Sequence, residues 1–291
     1  MRDRGGLRRR VSRVLYQRPR LRLVLLLGAP LIWLLAYVAS LLASLVTSLY
    51  HYESDPTGLV QRLVTSPSTT NYRRVIDTSV YRTVAFRTIG AALSVTVVDL
   101  LIALPVAFYM AKLARPWVRR ALVVAVTMPL WAGYLVKGYA WRAMLDPAGG
   151  VLRKVFGHSP GFGLQGTIVT LSYLWLPYMI IPIYAGLERL PNSLLEASTD
   201  LGAKAGRTFV RIVLPQLRPS IVAGSIFTFA LTLGDFYMTQ IVGGTTQFIG
   251  NVVYREFSAN LPFAAAYATL PIVIMLGYLA AARSSGALEE L

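Results

Sequence analysis

The 291-residue chain has no cysteine, which excludes disulfide frameworks, thiolate metal sites and cysteine nucleophiles. It has two histidines, His51 and His158, far apart and each in a polar stretch, so neither a zinc site nor a histidine relay is expected. Charge is scarce: 14% of residues are charged, against about 25% in an average soluble domain. Acids are scarcer still, 13 against 29 basic residues, for a net charge of +16. There is no internal repeat at a period of about 20–50 residues and no low-complexity tract. What remains is apolar. Hydrophobic residues make up 55% of the chain and the mean hydropathy is +0.54. That balance excludes an ordinary soluble globule, and it makes the basic excess a membrane-surface feature and not the footprint of a nucleic-acid partner.

A spanning helix needs about 20 mostly apolar residues. Six stretches meet that length: 23–49, 89–111, 121–139, 167–187, 221–243 and 263–282. The second and fifth carry one aspartate each, and Lys137 lies near one end of the third. The expected architecture is an all-α membrane domain over 23–282 between a basic tail, 1–22, and a short tail, 283–291. The first apolar run is longer than the ~7–15 residues of a signal-peptide core, so it reads as an uncleaved anchor. Nine arginines precede it, and 19 of the 29 basic residues fall on one side of the six spans. The excess of positive charge on cytoplasmic segments places both termini in the cytoplasm. Residues 50–88 then form the one sizeable external loop, with room for a short helix.

The long cytoplasmic segment, 190–220, is the most informative. Ser193 and Glu196 have the spacing of a capping box, which predicts a helix start. Leu194, Leu195, Ser198 and Leu201 share one face of that helix. Gly202 and Gly206 end or bend it, and Phe209, Ile212 and Val213 give a second, amphipathic helix carrying Lys204, Arg207 and Arg211. Pro215 and Pro219 are expected to end the pattern. The result is a compact knob between two spans, suited to docking on a protein partner.

Glu196-Ala197-Ser198, three residues, Gly202, nine residues, Ile212, one residue and Leu214-Pro215 resemble the EAA motif of ABC importer permeases. Ser198 is the departure, one small residue where the family usually has alanine. The resemblance implies a six-helix type I ABC importer permease fold whose coupling helix sits in a cleft of an ATP-hydrolysing subunit. It implies that Glu196, Ala197, Asp200, Gly202, Ala203, Leu214 and Pro215 belong to that contact. Further stretches resemble the spermidine/putrescine branch. They are Pro129-Leu130-Trp131 running to Trp141, Leu174-Trp175-Leu176-Pro177-Tyr178-Met179, Leu233-Gly234-Asp235-Phe236, Ile249-Gly250-Asn251 and the run Asn260 to Ala266. Leu261 departs from the branch, where tryptophan or a similar residue stands.

No Walker A loop is present. The nearest run, Gly202 to Thr208, has the wrong glycine spacing and Arg207 in place of lysine. The resemblance therefore implies ATP and magnesium on two separate ATP-binding subunits, an extracytoplasmic solute-binding protein, and a second homologous permease subunit, usually a different chain in this branch. It implies no cofactor or metal on this chain. The location it implies is the bacterial inner membrane.

Asp99 and Asp235 lie within apolar spans, where a carboxylate costs about 2.5–3.5 kcal/mol on insertion scales and normally faces a bundle interior or wet cavity. With Tyr237, Tyr178, Trp175 and Trp141 they are candidates to line a path for a polyamine, whose ammonium groups favour carboxylates and aromatic faces. The alternatives are structural: Asp99 bonded to Thr96 or Ser94 or paired with a neighbouring subunit, and the aromatic residues as packing or interface-belt groups. Pro105, Pro129, Pro177, Pro182 and Pro271 allow kinks in the spans. Two rival functions follow from the same residues. One is a proton-driven secondary transporter using Asp99 and Asp235; the other is an ABC permease for a sugar or an anion. An intramembrane enzyme has no support, because no span contains a histidine to activate a serine.

Overall fold

A computed structural model describes residues 19–54 and 61–284. The basic start up to residue 18 and most of the 283–291 tail lie outside the described residues. In chain order the elements are α1 (Pro19–Ser48), β1 (His51–Ser54), β2 (Gln61–Val64), α2 (Thr70–Asp77) and α3 (Ser79–Leu113, closing in a π-helical turn from Tyr109). There follow α4 (Pro116–Trp131), α5 (Tyr134–Leu145), α6 (Val151–Phe156), α7 (Leu164–Arg189), α8 (Asn192–Asp200) and α9 (Ala205–Gln216, with a π-helical turn at Phe209–Val213). The last are α10 (Arg218–Leu233), α11 (Tyr237–Val242), α12 (Ile249–Ala259) and α13 (Leu261–Ser284).

Among the described residues four helices, α1, α3, α7 and α13, are long and apolar enough to cross a bilayer unbroken, and two bent pairs, α4 with α5 (99°) and α9 with α10 (67°), bring the number to as many as six. The expected span at 89–111 begins ten residues early, at Ser79. At 1.5 Å per residue a helix of 35 residues outruns the ~30 Å hydrocarbon layer, so Arg82 and Arg87 fit in its first turns beyond the apolar layer. The expected continuous helix at 121–139 is instead broken. α4 and α5 meet at 99° across Ala132-Gly133, after Pro129 has removed one donor from the helix ladder. The span read as 221–243 also stops short: α10 ends at Leu233, Gly234-Asp235-Phe236 is unwound, and α11 restarts at Tyr237. Pro105, Pro177, Pro182 and Pro271 lie within continuous helices.

The stretch read as an external loop carries more secondary structure than the sequence suggests. β1 and β2 form an antiparallel hairpin, with His51 opposite Val64, which the all-helical expectation did not include. α2 is the short helix that was allowed for. Its Asn71 donates to the carbonyls of Ser48 (3.0 Å) and Tyr50 (2.7 Å), which ties it to the end of α1.

The packed centre is α3, α7 and α10. A Cβ on Gly224 would lie 3.2 Å from Met179 Cα, and one on Gly186 only 2.3 Å from Ser220 Oγ, so these glycines let α7 and α10 approach closely. Threonines on this interface return their hydroxyls to the helix backbone: Thr96 donates to Ala92 and Thr232 to Thr228, both at 2.8 Å. One apolar cluster at the α8 end joins Met110, Met179, Ile183, Leu187, Val213 and Leu217; another at the opposite end joins Leu145, Leu171, Trp175, Met238 and Phe248. α1 stands apart. Only 6% of its apolar window is buried against the rest of the chain, and Trp33 is 78% exposed, as suits a helix matched to lipid.

Candidate functional site

Two regions carry most of the sequence-predicted site residues. The first is the knob formed by α8 and α9. The helix starts at Asn192 with Pro191 as its cap, not at the Ser193–Glu196 capping box, and no side chain caps it. Pro191 adds no N–H to the unmatched donors of the first turn, and Lys112 from the end of α3 fastens the residues on either side of it. The Lys112 Nζ donates to Leu190 O (2.6 Å) and Asn192 Oδ1 (3.0 Å). Arg119 donates to Met110 O and Ala111 O, each at 3.1 Å, closing the carbonyls of the π turn beside it.

α8 ends as the glycine predicts. Gly202 has φ +74°, Gly202 N–H bonds to Thr199 O (2.8 Å) and Ala203 N–H to Ser198 O (3.0 Å), the paired bonds of a left-handed helix stop. Leu201 does not share the buried face: it is the cap residue and 88% exposed, whereas Leu195 packs on the core and Ser198 is buried. Ser198, the departure from alanine, bonds to the hydroxyl of Thr208 at 2.8 Å and so joins α8 to α9. Glu196, Ala197, Asp200 and Gly202 are exposed, Ala203, Leu214 and Pro215 partly so. Pro215 does not end the pattern: the π turn before it lets α9 run on to Gln216, and Pro219 sits in the first turn of α10.

The second region is where the two broken spans meet. Asp235 is 6% exposed. Its Oδ1 accepts the N–H of Met238 at 3.0 Å, capping α11, and its Oδ2 accepts the hydroxyl of Tyr134, the first residue of α5. The Tyr134 ring stacks on Trp175 (5.9 Å between centroids) and meets Tyr237 edge-on (6.5 Å), and Trp175 in turn meets Tyr178 (6.0 Å). Asn251 completes the frame. Its Nδ2 donates to Phe236 O (3.0 Å) and its Oδ1 accepts Phe248 N–H (2.8 Å) and Thr239 Oγ1 (2.7 Å). Gly250 is required there, because a Cβ would come 2.8 Å from that of Phe236.

Four expected path residues, Asp235, Tyr237, Trp175 and Tyr178, are therefore brought into one aromatic cluster. Trp141 is not; it packs on Tyr173 at 5.3 Å. Nor is Asp99, which is fully buried on α3 with Ser172 of α7 beside it. Thr96 and Ser94 do not bond it; they donate to Ala92 O and Gly90 O, and both Asp99 oxygens have no hydrogen-bond partner among the described residues. Tyr134, Arg142 and Lys137 were missed. Lys137 donates to Pro129 O (3.1 Å), stabilising the end of α4, and Arg142 donates to Ile241 O, fastening α5 to α11. The signal was the Pro129 to Gly133 spacing, which marks a break between two helices.

Among the described residues no group of three or more His, Asp and Glu side chains is placed to hold a metal.

With this geometry in hand, comparison with known proteins decides the class. The family described as the binding-protein-dependent transport system inner membrane component matches residues 74–288. The chain belongs to this family. The inner membrane ABC transporter permease protein YdcU of Escherichia coli K12 is 38% identical, over 97% of this chain and 95% of that protein. The spermidine/putrescine transport system permease protein PotB of the same organism is 33% identical over 76% of this chain and 83% of its own. The fold matches a bacterial ABC transporter that imports alginate, with a TM-score of 0.67 at 18% identity, covering 94% of this chain and 99% of that one. It also matches the MetNI methionine transporter at a TM-score of 0.55 and 19% identity, over 71% and 96%.

The permease is thus a multi-pass inner membrane subunit of an ABC importer. As the permease subunit of a binding-protein-dependent ABC importer it works with a binding protein and with separate ATPase subunits, which carry the nucleotide. The proton-driven reading gives way to ATP hydrolysis on those partners.

Proposed function

We propose that this permease carries a polyamine of the spermidine/putrescine class. The observation that carries the reading is Asp235: a carboxylate held at an unwound stretch inside the membrane region and bordered by the rings of Tyr134, Trp175 and Tyr237. A carboxylate with π faces around it attracts an alkylammonium and repels an anion. An unwound segment in a span is tolerated where it lines a cavity or is buried in protein. The similarity to PotB supports the same class. Asp99, sealed between α3 and α7, enters such a path only when that interface opens.

In the proposed cycle a loaded binding protein docks on the external side, where the β1–β2 hairpin and α2 lie. ATP binding closes the ATPase pair, and Glu196, Ala197, Asp200, Gly202 and Ala203 on α8 ride in its cleft. Leu214 and Pro215 pass the movement into α10. Both termini are cytoplasmic, and the path is completed by a second, homologous permease chain. The test is uptake of labelled spermidine by the reconstituted importer. Asp235→Asn is expected to lower uptake by about tenfold or more, the worth of one charged contact, with the complex still assembled. Normal uptake in that variant would end the carboxylate-path reading.

A further inference from the structure

We propose that Tyr134 is a specificity-determining residue of the path: its hydroxyl holds Asp235 in the absence of substrate, and a substrate's ammonium displaces it. The proposal rests on the reading of Asp235 as a substrate contact.

The two oxygens of Asp235 are not equivalent. Oδ1 is committed to the buried N–H of Met238, two residues into α11, and losing that bond would strand a donor. Oδ2 accepts the Tyr134 hydroxyl, which reaches it from 101 residues away in the chain, and that side chain is free to turn away without breaking a helix. Oδ2 is therefore the oxygen open to exchange. A neutral hydroxyl offered by a ligand would replace one O–H donor with another and gain nothing. An anion would be repelled. An ammonium brings opposite charge to a carboxylate shielded from bulk water, where the attraction is strongest. Once displaced, the Tyr134 ring remains between Trp175 and Tyr237, with π faces available to the same cation.

The bond also spans a mechanical junction. Tyr134 is the first residue after the 99° break between α4 and α5, and Asp235 is in the break between α10 and α11. Freeing one from the other uncouples the two broken spans at the point where each is least held by its own helix ladder. Substrate identity and the opening of the path are then read by the same hydrogen bond.

The test uses the complete importer, with its ATPase subunits, partner permease and binding protein, in proteoliposomes with spermidine as the probe. Tyr134→Phe keeps the ring and removes the hydroxyl. ATP hydrolysis without spermidine is expected to rise roughly two- to tenfold, the factor one net hydrogen bond supplies, and transport per ATP to fall by a similar factor. Asp235→Asn is expected to raise spermidine-free hydrolysis in the same way. The double variant should be no worse than Asp235→Asn alone, because the pair acts as a unit. Wild-type hydrolysis and uptake in Tyr134→Phe would overturn the proposal, as would independent, multiplying effects of the two substitutions. If the unaltered importer does not move spermidine at all, the polyamine reading falls and with it the identity of the displacing cation, while the spermidine-free hydrolysis rates still report whether the latch exists.

Discussion

The permease interrupts its helices in two contrasting ways. At Gly202 the break is local: the bonds that close it run between residues 198 and 203, and the surface it presents is exposed. At Gly234-Asp235-Phe236 the aspartate in the break is buried, and the break is held by Tyr134 and Asn251, one of them 101 residues distant. The local stop sits on the surface proposed to meet the ATPase; the long-range clamp sits where two broken spans meet. The difference teaches that the helix stop at Gly202 is closed by bonds within a short stretch of sequence, whereas the break within the spans is held only once the bundle is assembled.

The largest effect should come from cutting the buried clamp. Asp235→Ala removes the cap of α11 and strands both the Met238 N–H and the Tyr134 hydroxyl, and is expected to destabilise the permease by about 2–3 kcal/mol. A lowered thermal midpoint of the purified complex in detergent reports it; an unchanged midpoint would mean the break is not held by this residue.

The local break should respond less, and to backbone conformation more than to side-chain bulk. Open space surrounds Gly202, so Gly202→Leu meets no clash but must adopt φ +74°, at roughly 1–2 kcal/mol. Gly202→Asn, which tolerates that conformation, should retain most function. Pull-down of the ATPase subunits together with uptake separates the two: equal loss in both variants would show that the contact needs a bare glycine surface and not merely its backbone angle.

The smallest effect is expected at the other membrane aspartate. Asp99 accepts no hydrogen bond of ordinary geometry among the described residues, so Asp99→Asn breaks no such bond and should leave the thermal midpoint unchanged or slightly raised. A fall comparable to that of Asp235→Ala would erase the contrast between the two carboxylates.

Much of the coupling segment was legible because its physics is short-ranged. The Glu196 to Pro215 spacing, the stop at Gly202 and the amphipathic second helix need only neighbours in sequence. The helix begins earlier than the Ser193 spacing predicts, at Asn192, whose side-chain oxygen is taken by Lys112, 80 residues away. Leu201 was assigned to the buried face because helical periodicity was carried one residue past the helix end.

The apolar runs by themselves determined that the chain lives in a bilayer and how many times it can cross, since hydrophobic transfer depends on length and composition alone. They could not determine that two of those crossings are broken. Hydropathy treats 121–139 and 221–243 as continuous, and nothing in the apolar pattern of either run says that Tyr134 will meet Asp235. Only the tertiary structure decided which aspartate is clamped between two broken spans and which is sealed between two continuous helices. An intramembrane carboxylate takes its role from what the neighbouring helices bring to it, and those neighbours are a hundred residues away.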